Sequence, residues 1–195
     1  MNRIKKILIY TALFTAQLTL AQADYTHTTS KDYFQKAYEQ LGREEFSEAF
    51  TSFEKVDKSD TLYNLAQLSK LIAEYKAGYH KKVIKTAAKM ILEESVFSST
   101  AFEYKIKAYI DLKEFVNAEK TIGFGTEKYP LYGFQYEYLR ALIFKHQGKY
   151  EEAKRLLQSI IIQHPQHSFS HVLLAQLMGE EGGKVQSILH MCHRS

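Results

Sequence analysis

The chain has one cysteine, Cys192, so no intramolecular disulfide can brace it. Only two prolines interrupt its 195 residues, and no low-complexity tract or linker divides them. Stability therefore has to come from packing, and a content of 45% hydrophobic and 13% aromatic residues supplies enough apolar surface for one folded unit. Beyond residue 20 there is no apolar run of the roughly 20 residues that a membrane-spanning helix needs. Basic stripes of the kind that grip nucleic acid are missing too. The net charge of +4 owes three basic side chains to residues 1–23, which hold no acidic ones, and the remainder is near +1. No nucleic-acid partner is expected.

Those first residues read as an export signal. Arg3, Lys5 and Lys6 form a basic start, Ile7 to Leu20 an apolar run, and Ala21-Gln22-Ala23 a small-x-small cleavage site. The run of 14 residues is short for a membrane span. The expectation is an exported protein, periplasmic or secreted, with no transmembrane segment after signal removal. The alternative is an uncleaved N-terminal anchor.

What is present is periodic. Gly148-Lys149-Tyr150-Glu151-Glu152-Ala153 is closed by Pro165, and 35 residues upstream Phe115, Ala118 and Pro130 stand in the same relation as Tyr150, Ala153 and Pro165. A third copy starts at Phe46 and Ala49. An aromatic, a small residue three later and a proline twelve beyond, at a period of about 34, resembles the tetratricopeptide repeat. The resemblance implies an all-α fold of tandem antiparallel helical hairpins, stacked into a right-handed superhelical solenoid. The aromatic would open each second helix, the alanine allow a close crossing, and the proline end the helix.

On this pattern residues 24–195 divide into repeats at about 30–58, 59–95, 99–130 and 134–165, with a partial one at 168–193. Ser30, Ser59-Asp60 and Ser168 are expected helix caps. In the first repeat Lys36 and Gln40 stand where the family keeps apolar or small residues. In the second, taking Tyr79 as the hairpin aromatic puts Lys82 at the small position, and an extra helical turn around Leu71 to Glu74 would account for it. Gly123 and Gly125 point to close helix packing, and Glu151 with Arg155 to an i,i+4 ion pair. The last stub, Val185 to about Cys192, is short for a capping helix, so a partner contact at an incompletely capped C-terminal end is one expectation.

Chemistry-bearing motifs are scarce. His164, His167 and His171 cluster, and the last two have a helical metal-ligand spacing, yet no carboxylate or cysteine completes a set; surface and loop histidines are the expectation. Lys81, Lys82, Lys85 and Lys89 read as a solvated helix face, with a patch for an acidic partner as the alternative. With no phosphate loop, nucleophile elbow or paired carboxylates, the chain is expected to be no enzyme and to need no cofactor and no metal.

The family resemblance implies a concave groove lined by the first helices, holding a protein or peptide ligand. Its groove positions map onto Phe34 and Tyr38, Tyr63 and Gln67, Glu103 and Lys107, and Tyr138 and Leu142. Phe34, Tyr63 and Tyr138 are taken as equivalent, and their rings either bind a partner or pack between repeats. The family's carboxylate clamp, a lysine with asparagines, is absent at these positions. The function expected is a helical-repeat scaffold binding a protein or peptide in the cell envelope. The alternative is a sensory or docking segment of a longer signalling protein.

One measurement tests the export signal. Intact mass of the protein recovered from the envelope fraction should correspond to a chain beginning at Asp24; a mass that retains residues 1–23 selects the anchored alternative.

Overall fold

A computed structural model describes residues 29–179. Residues 1–23, read above as an export signal, and the stub expected from Val185 lie outside them. Among the described residues the secondary structure is helical throughout, with no strand. The elements are α1 (29–42), α2 (Phe46–Glu54), α3 (Tyr63–Lys76), α4 (His80–Leu92), α5 (Ser98–Asp111), α6 (Phe115–Lys128), α7 (Gly133–His146), α8 (Tyr150–Gln163) and α9 (Ser168–Gly179), with a short 3-10 turn at Pro130–Tyr132. Helices α1 to α3 belong to one compact unit ending at Tyr79, and α4 to α9 to a second beginning at His80.

The hairpin turns repeat more strictly than the sequence does. Three residues follow each of α1, α3, α5 and α7, and the middle one is left-handed: Glu44 at φ 61°, Gly78 at 76°, Lys113 at 60° and Gly148 at 73°. The next N–H in each turn reaches back five residues, from Glu45 to the Gln40 carbonyl, Tyr79 to Glu74, Glu114 to Tyr109 and Lys149 to Phe144, at 2.8–2.9 Å. This is the Schellman arrangement, which satisfies carbonyls left open by the helix end. Helices α6 and α8 stop differently. Tyr129 and His164, each before a proline, take φ −133°, the extended backbone that the proline ring imposes on its predecessor.

Counting from these turns fixes the second repeat. The second helices begin at Phe46, His80, Phe115 and Tyr150, and the residue three further on is Ala49, Val83, Ala118 or Ala153, each with 0% exposure. His80 and Val83, and not Tyr79 and Lys82, therefore hold the aromatic and small positions. No extra turn is inserted: α3 has 14 residues, as do α5 and α7. Phe53, Ala87, Ile122 and Leu157, seven residues into each second helix, are also fully buried. So are Ala37, Leu71, Ile106 and Ala141 on the first helices, seven residues before each left-handed turn.

Within the first unit α1 and α2 close around Ala37, Ala49 and Phe53, joined by Ala66 of α3. Ser30 caps nothing: it lies inside α1, buried, and its hydroxyl accepts the Asp57 N–H at 3.1 Å. Gln40 earns its unusual place by accepting a 2.7 Å bond from Ser52. Asp60 serves a turn ahead of α3, accepting the Leu62 N–H at 2.8 Å, and the residue at the cap position is Leu62.

In the second unit α5, α6 and α7 share a core of Phe102, Ile106, Ile110, Ala118, Ile122, Tyr136, Leu139 and Ile143. Leu157 of α8 and Leu173 and Leu177 of α9 continue it past Ala141 and Ala153. The two helical glycines of α6 differ. A Cβ on Gly125 would come within 3.1 Å of the buried Tyr136 ring and 3.4 Å of Phe102, whereas Gly123 faces open space. Close packing accounts for Gly125 alone. Glu151 pairs with Lys154 at 3.2 Å, one residue short of the expected Arg155.

The left-handed turns generate a stability test. A side chain at positive φ crowds its own carbonyl, and glycine escapes that cost. Lys113→Gly and Glu44→Gly should each stabilise by about 0.5–1 kcal/mol, while Gly148→Ala should destabilise by about 1 kcal/mol. Urea melts of the three variants check the signs.

Candidate functional site

The first helices place the expected groove residues at two recurring positions. Phe34, Glu103 and Tyr138 stand ten residues before their left-handed turns, and Tyr38, Lys107 and Leu142 six before. Tyr63 and Gln67 do not share these positions. Tyr63 is the first residue of α3, and the equivalent places in that helix belong to Leu68 and Ile72. Gln67 is moreover buried. The slip has the same origin as that at Tyr79: without the turn as a ruler, a tyrosine five residues early looked like a match.

In the first unit the rings are tied into the hairpin. Phe34 and Tyr38 lie 4.9 Å apart, and each meets Phe53 of α2 edge-on at 5.7 Å. The Tyr38 hydroxyl shares a 2.9 Å hydrogen bond with Ser69 of α3. These contacts give both rings a packing role, although Tyr38 keeps nearly half its surface exposed.

The second unit gathers a denser constellation. On α5, Glu103 and Lys107 form an i,i+4 ion pair, and the Lys107 ammonium sits 5.0 Å from the centre of the Tyr104 ring. On α7, Tyr138 and Leu142 are partly buried against the core. Tyr138 meets His167 at 5.3 Å and Phe169 at 6.1 Å, across the start of α9. Phe134, one turn before Tyr138, stacks on His164 at 4.0 Å and meets His167 edge-on at 5.4 Å. Phe169, at the outer limit of this cluster, is 66% exposed.

Electrostatics tie the constellation together. Burial pushes the Tyr138 phenol up, and Glu103 adds to it. Burial holds the His167 imidazole below its usual value, His164 and His171 push the same way, and Glu103 opposes them. Glu103 of α5 thus acts on Tyr138 of α7 and His167 beside α9, so one charge field spans three first helices.

The histidines are more than loop decoration. His164 and His167 are built into an aromatic cluster that the sequence reading missed, although Phe134 and Tyr138 one turn apart, with histidines 29 or 30 residues on, carried its signal. They are not arranged as a metal pair. The His167 Nδ1 engages the Ser170 hydroxyl at 2.7 Å, and the His171 Nε2 donates to the Pro165 carbonyl at 2.8 Å. Among the described residues no three of His, Cys, Asp and Glu gather as a metal site.

No protein-family model matches this chain, and no curated protein matches it in sequence. Solved structures do match in fold. The chain is similar to the MamA RS-1 ArsTM double mutant, with TM-score 0.57 and 15% identity over 83% of this chain and 89% of that one. A tetratricopeptide repeat protein from Parabacteroides merdae aligns with TM-score 0.46 and 12% identity, over 84% of this chain and 78% of the other. Identity this low speaks to the fold alone, and nothing further rests on the second likeness. The class defined by fold and site together is an all-helical hairpin scaffold that carries an aromatic and charged surface on its first helices.

The imidazole cluster predicts a pH dependence. His167 has a lowered folded value, so the unfolded chain takes up its proton first as pH falls. Its stabilising contribution is present above the ordinary imidazole value of about 6.5 and is lost as pH drops from there through the lowered folded value. Thermal melts between pH 7.5 and 5 should show a smaller loss for His167→Asn than for the parent.

Proposed function

We propose that this chain is an exported scaffold of the tetratricopeptide type that binds a protein or peptide in the cell envelope and performs no catalysis itself. Export rests on the basic start, apolar run and Ala21-Gln22-Ala23 site of the first 23 residues. The observation that carries the binding role is the surface of the second unit where Tyr138 and the exposed Phe169 flank His167, with the Glu103–Lys107 pair on the neighbouring first helix.

Such a surface suits an extended peptide. Aromatic rings give large contact area at low entropic cost. The ion pair offers a carboxylate and an ammonium that a partner's charges can engage, which sets direction along the helices. Leu142, one turn beyond Tyr138, extends the apolar strip. The wider fold is compatible with many ligands, so the partner's identity has to come from capture in the native envelope.

Tyr138→Ala and Phe169→Ala form an informative pair. Phe169 is mostly exposed, so its truncation should weaken the captured partner's binding by more than about 1 kcal/mol with the melting temperature unchanged. Tyr138 also packs on the core, so its truncation should lower both affinity and melting temperature. Calorimetric titration alongside circular dichroism separates the two effects. A Phe169 variant that binds as the parent does would remove this surface from the binding site.

A further inference from the structure

The second helices of the second unit bury the same positions, and they expose the same positions. Counted from His80, Phe115 and Tyr150, the residues one, five, nine and twelve further on lie within about 80° of one another on a helix, opposite the buried third and seventh. The fifth position is Lys85 in α4, Lys120 in α6 and Arg155 in α8, all exposed. One basic residue is thus repeated on α4, α6 and α8. Helix α4 adds Lys81, Lys82 and Lys89 and contains no acidic side chain at all.

Large apolar side chains are set among these cations. Val116 and Phe124 occupy the first and ninth positions of α6, at 70% and 65% exposure. Leu92 and Ile162 hold the twelfth position of α4 and α8, at 84% and 79%. The face is not purely basic: Glu127 and Glu151 share it, with Glu152 at its margin, and Glu151 is engaged by Lys154. Cations still outnumber anions there.

We propose that this outer face of α4, α6 and α8 docks on an anionic lipid surface. Charge complementarity chooses the sign of the occupant, and the layout of apolar groups chooses its kind. Along each helix the apolar positions are set apart by charged or polar ones: Lys120 stands between Val116 and Phe124, Leu92 follows Lys89, and Ile162 follows Ser159. A polypeptide would leave them half solvated, whereas a bilayer interface takes up scattered apolar tips while lysine and arginine heads reach the phosphates. Polybasic attraction to acidic headgroups supplies the long-range part. The surface lies on different helices from the Glu103–Tyr138–His167 site, so it stands or falls independently of what that site binds.

The test is co-sedimentation of the full chain with vesicles of phosphatidylcholine alone and with 30% phosphatidylglycerol (roughly, as for an anionic leaflet). Parent protein should prefer the anionic vesicles, and salt should weaken the preference. The triple variant Lys85→Glu, Lys120→Glu, Arg155→Glu should lose roughly tenfold in partitioning. Phe124→Ser should lose severalfold on vesicles yet be retained like the parent on immobilised poly-glutamate. Each variant is also measured as a chain beginning at Asp24, so that binding by the apolar run of residues 7–20 is read separately. Equal partitioning of parent and triple variant would overturn the proposal. So would a Phe124→Ser variant that binds vesicles as the parent does, since the face would then serve a purely ionic, acidic polypeptide partner. Circular dichroism melts confirm that each variant is folded.

Discussion

Four left-handed residues, one in each three-residue hairpin turn, are the constraint on which the rest of the structure hangs. Each lets a chain leaving a first helix reverse at once into the second, while the five-residue back-bond pins the reversal. A reversal this tight leaves no slack between the helices. It therefore fixes which residues of the second helix turn inward, and within the two units Ala49, Ala118 and Ala153, all fully buried, take their places in the hairpin cores. Two of the four turns are made without glycine, by Glu44 and Lys113. Their strain is held by packing on either side.

The two helices of a hairpin then divide the chemistry. First helices direct Glu103, Lys107, Tyr138 and Leu142 to one surface, where rings, an imidazole and an ion pair adjoin. Second helices turn Lys85, Lys120 and Arg155 to another. Both surfaces are consequences of one periodicity, because a residue at a fixed distance from the turn always faces the same way. Half-buried cations of the first helices illustrate how far the repetition goes. Lys70 pairs with Glu54 and Glu74, and Arg140 with Glu119 and Glu137. Lys105 stands in the same place, and burial alone holds its ammonium below the usual value.

Much of the architecture could be read from residue spacing. The Phe115–Ala118 and Tyr150–Ala153 pairs mark the starts of α6 and α8, and the two prolines mark where those helices stop. The second repeat slipped because its turn glycine, Gly78, is followed by Tyr79, and an aromatic beside a turn is a persuasive false marker for the helix start at His80. Tyr63 misled for the same reason. Ser30 and Asp60 look like caps in sequence, but a serine can also be buried to hold a distant N–H, which only tertiary structure reveals. The aromatic and histidine cluster eluded the reading because its members come from α7 and the loop before α9, and spacing rules compare residues within one element.

The even separation of the left-handed turns that follow the first helices, at 44, 78, 113 and 148, also limits how such a chain can change length. One residue inserted within α7 or α8 would rotate everything beyond it in that helix by about 100°, swinging Ile143 or Leu157 out of contact and carrying charged neighbours inward. Insertions are harmless only in the connections that follow the second helices. The eight residues between α2 and α3, against five between α4 and α5, show where variation has been admitted. Lineages descending from this chain should therefore gain or lose whole hairpins, or single residues at those joints, and little in between.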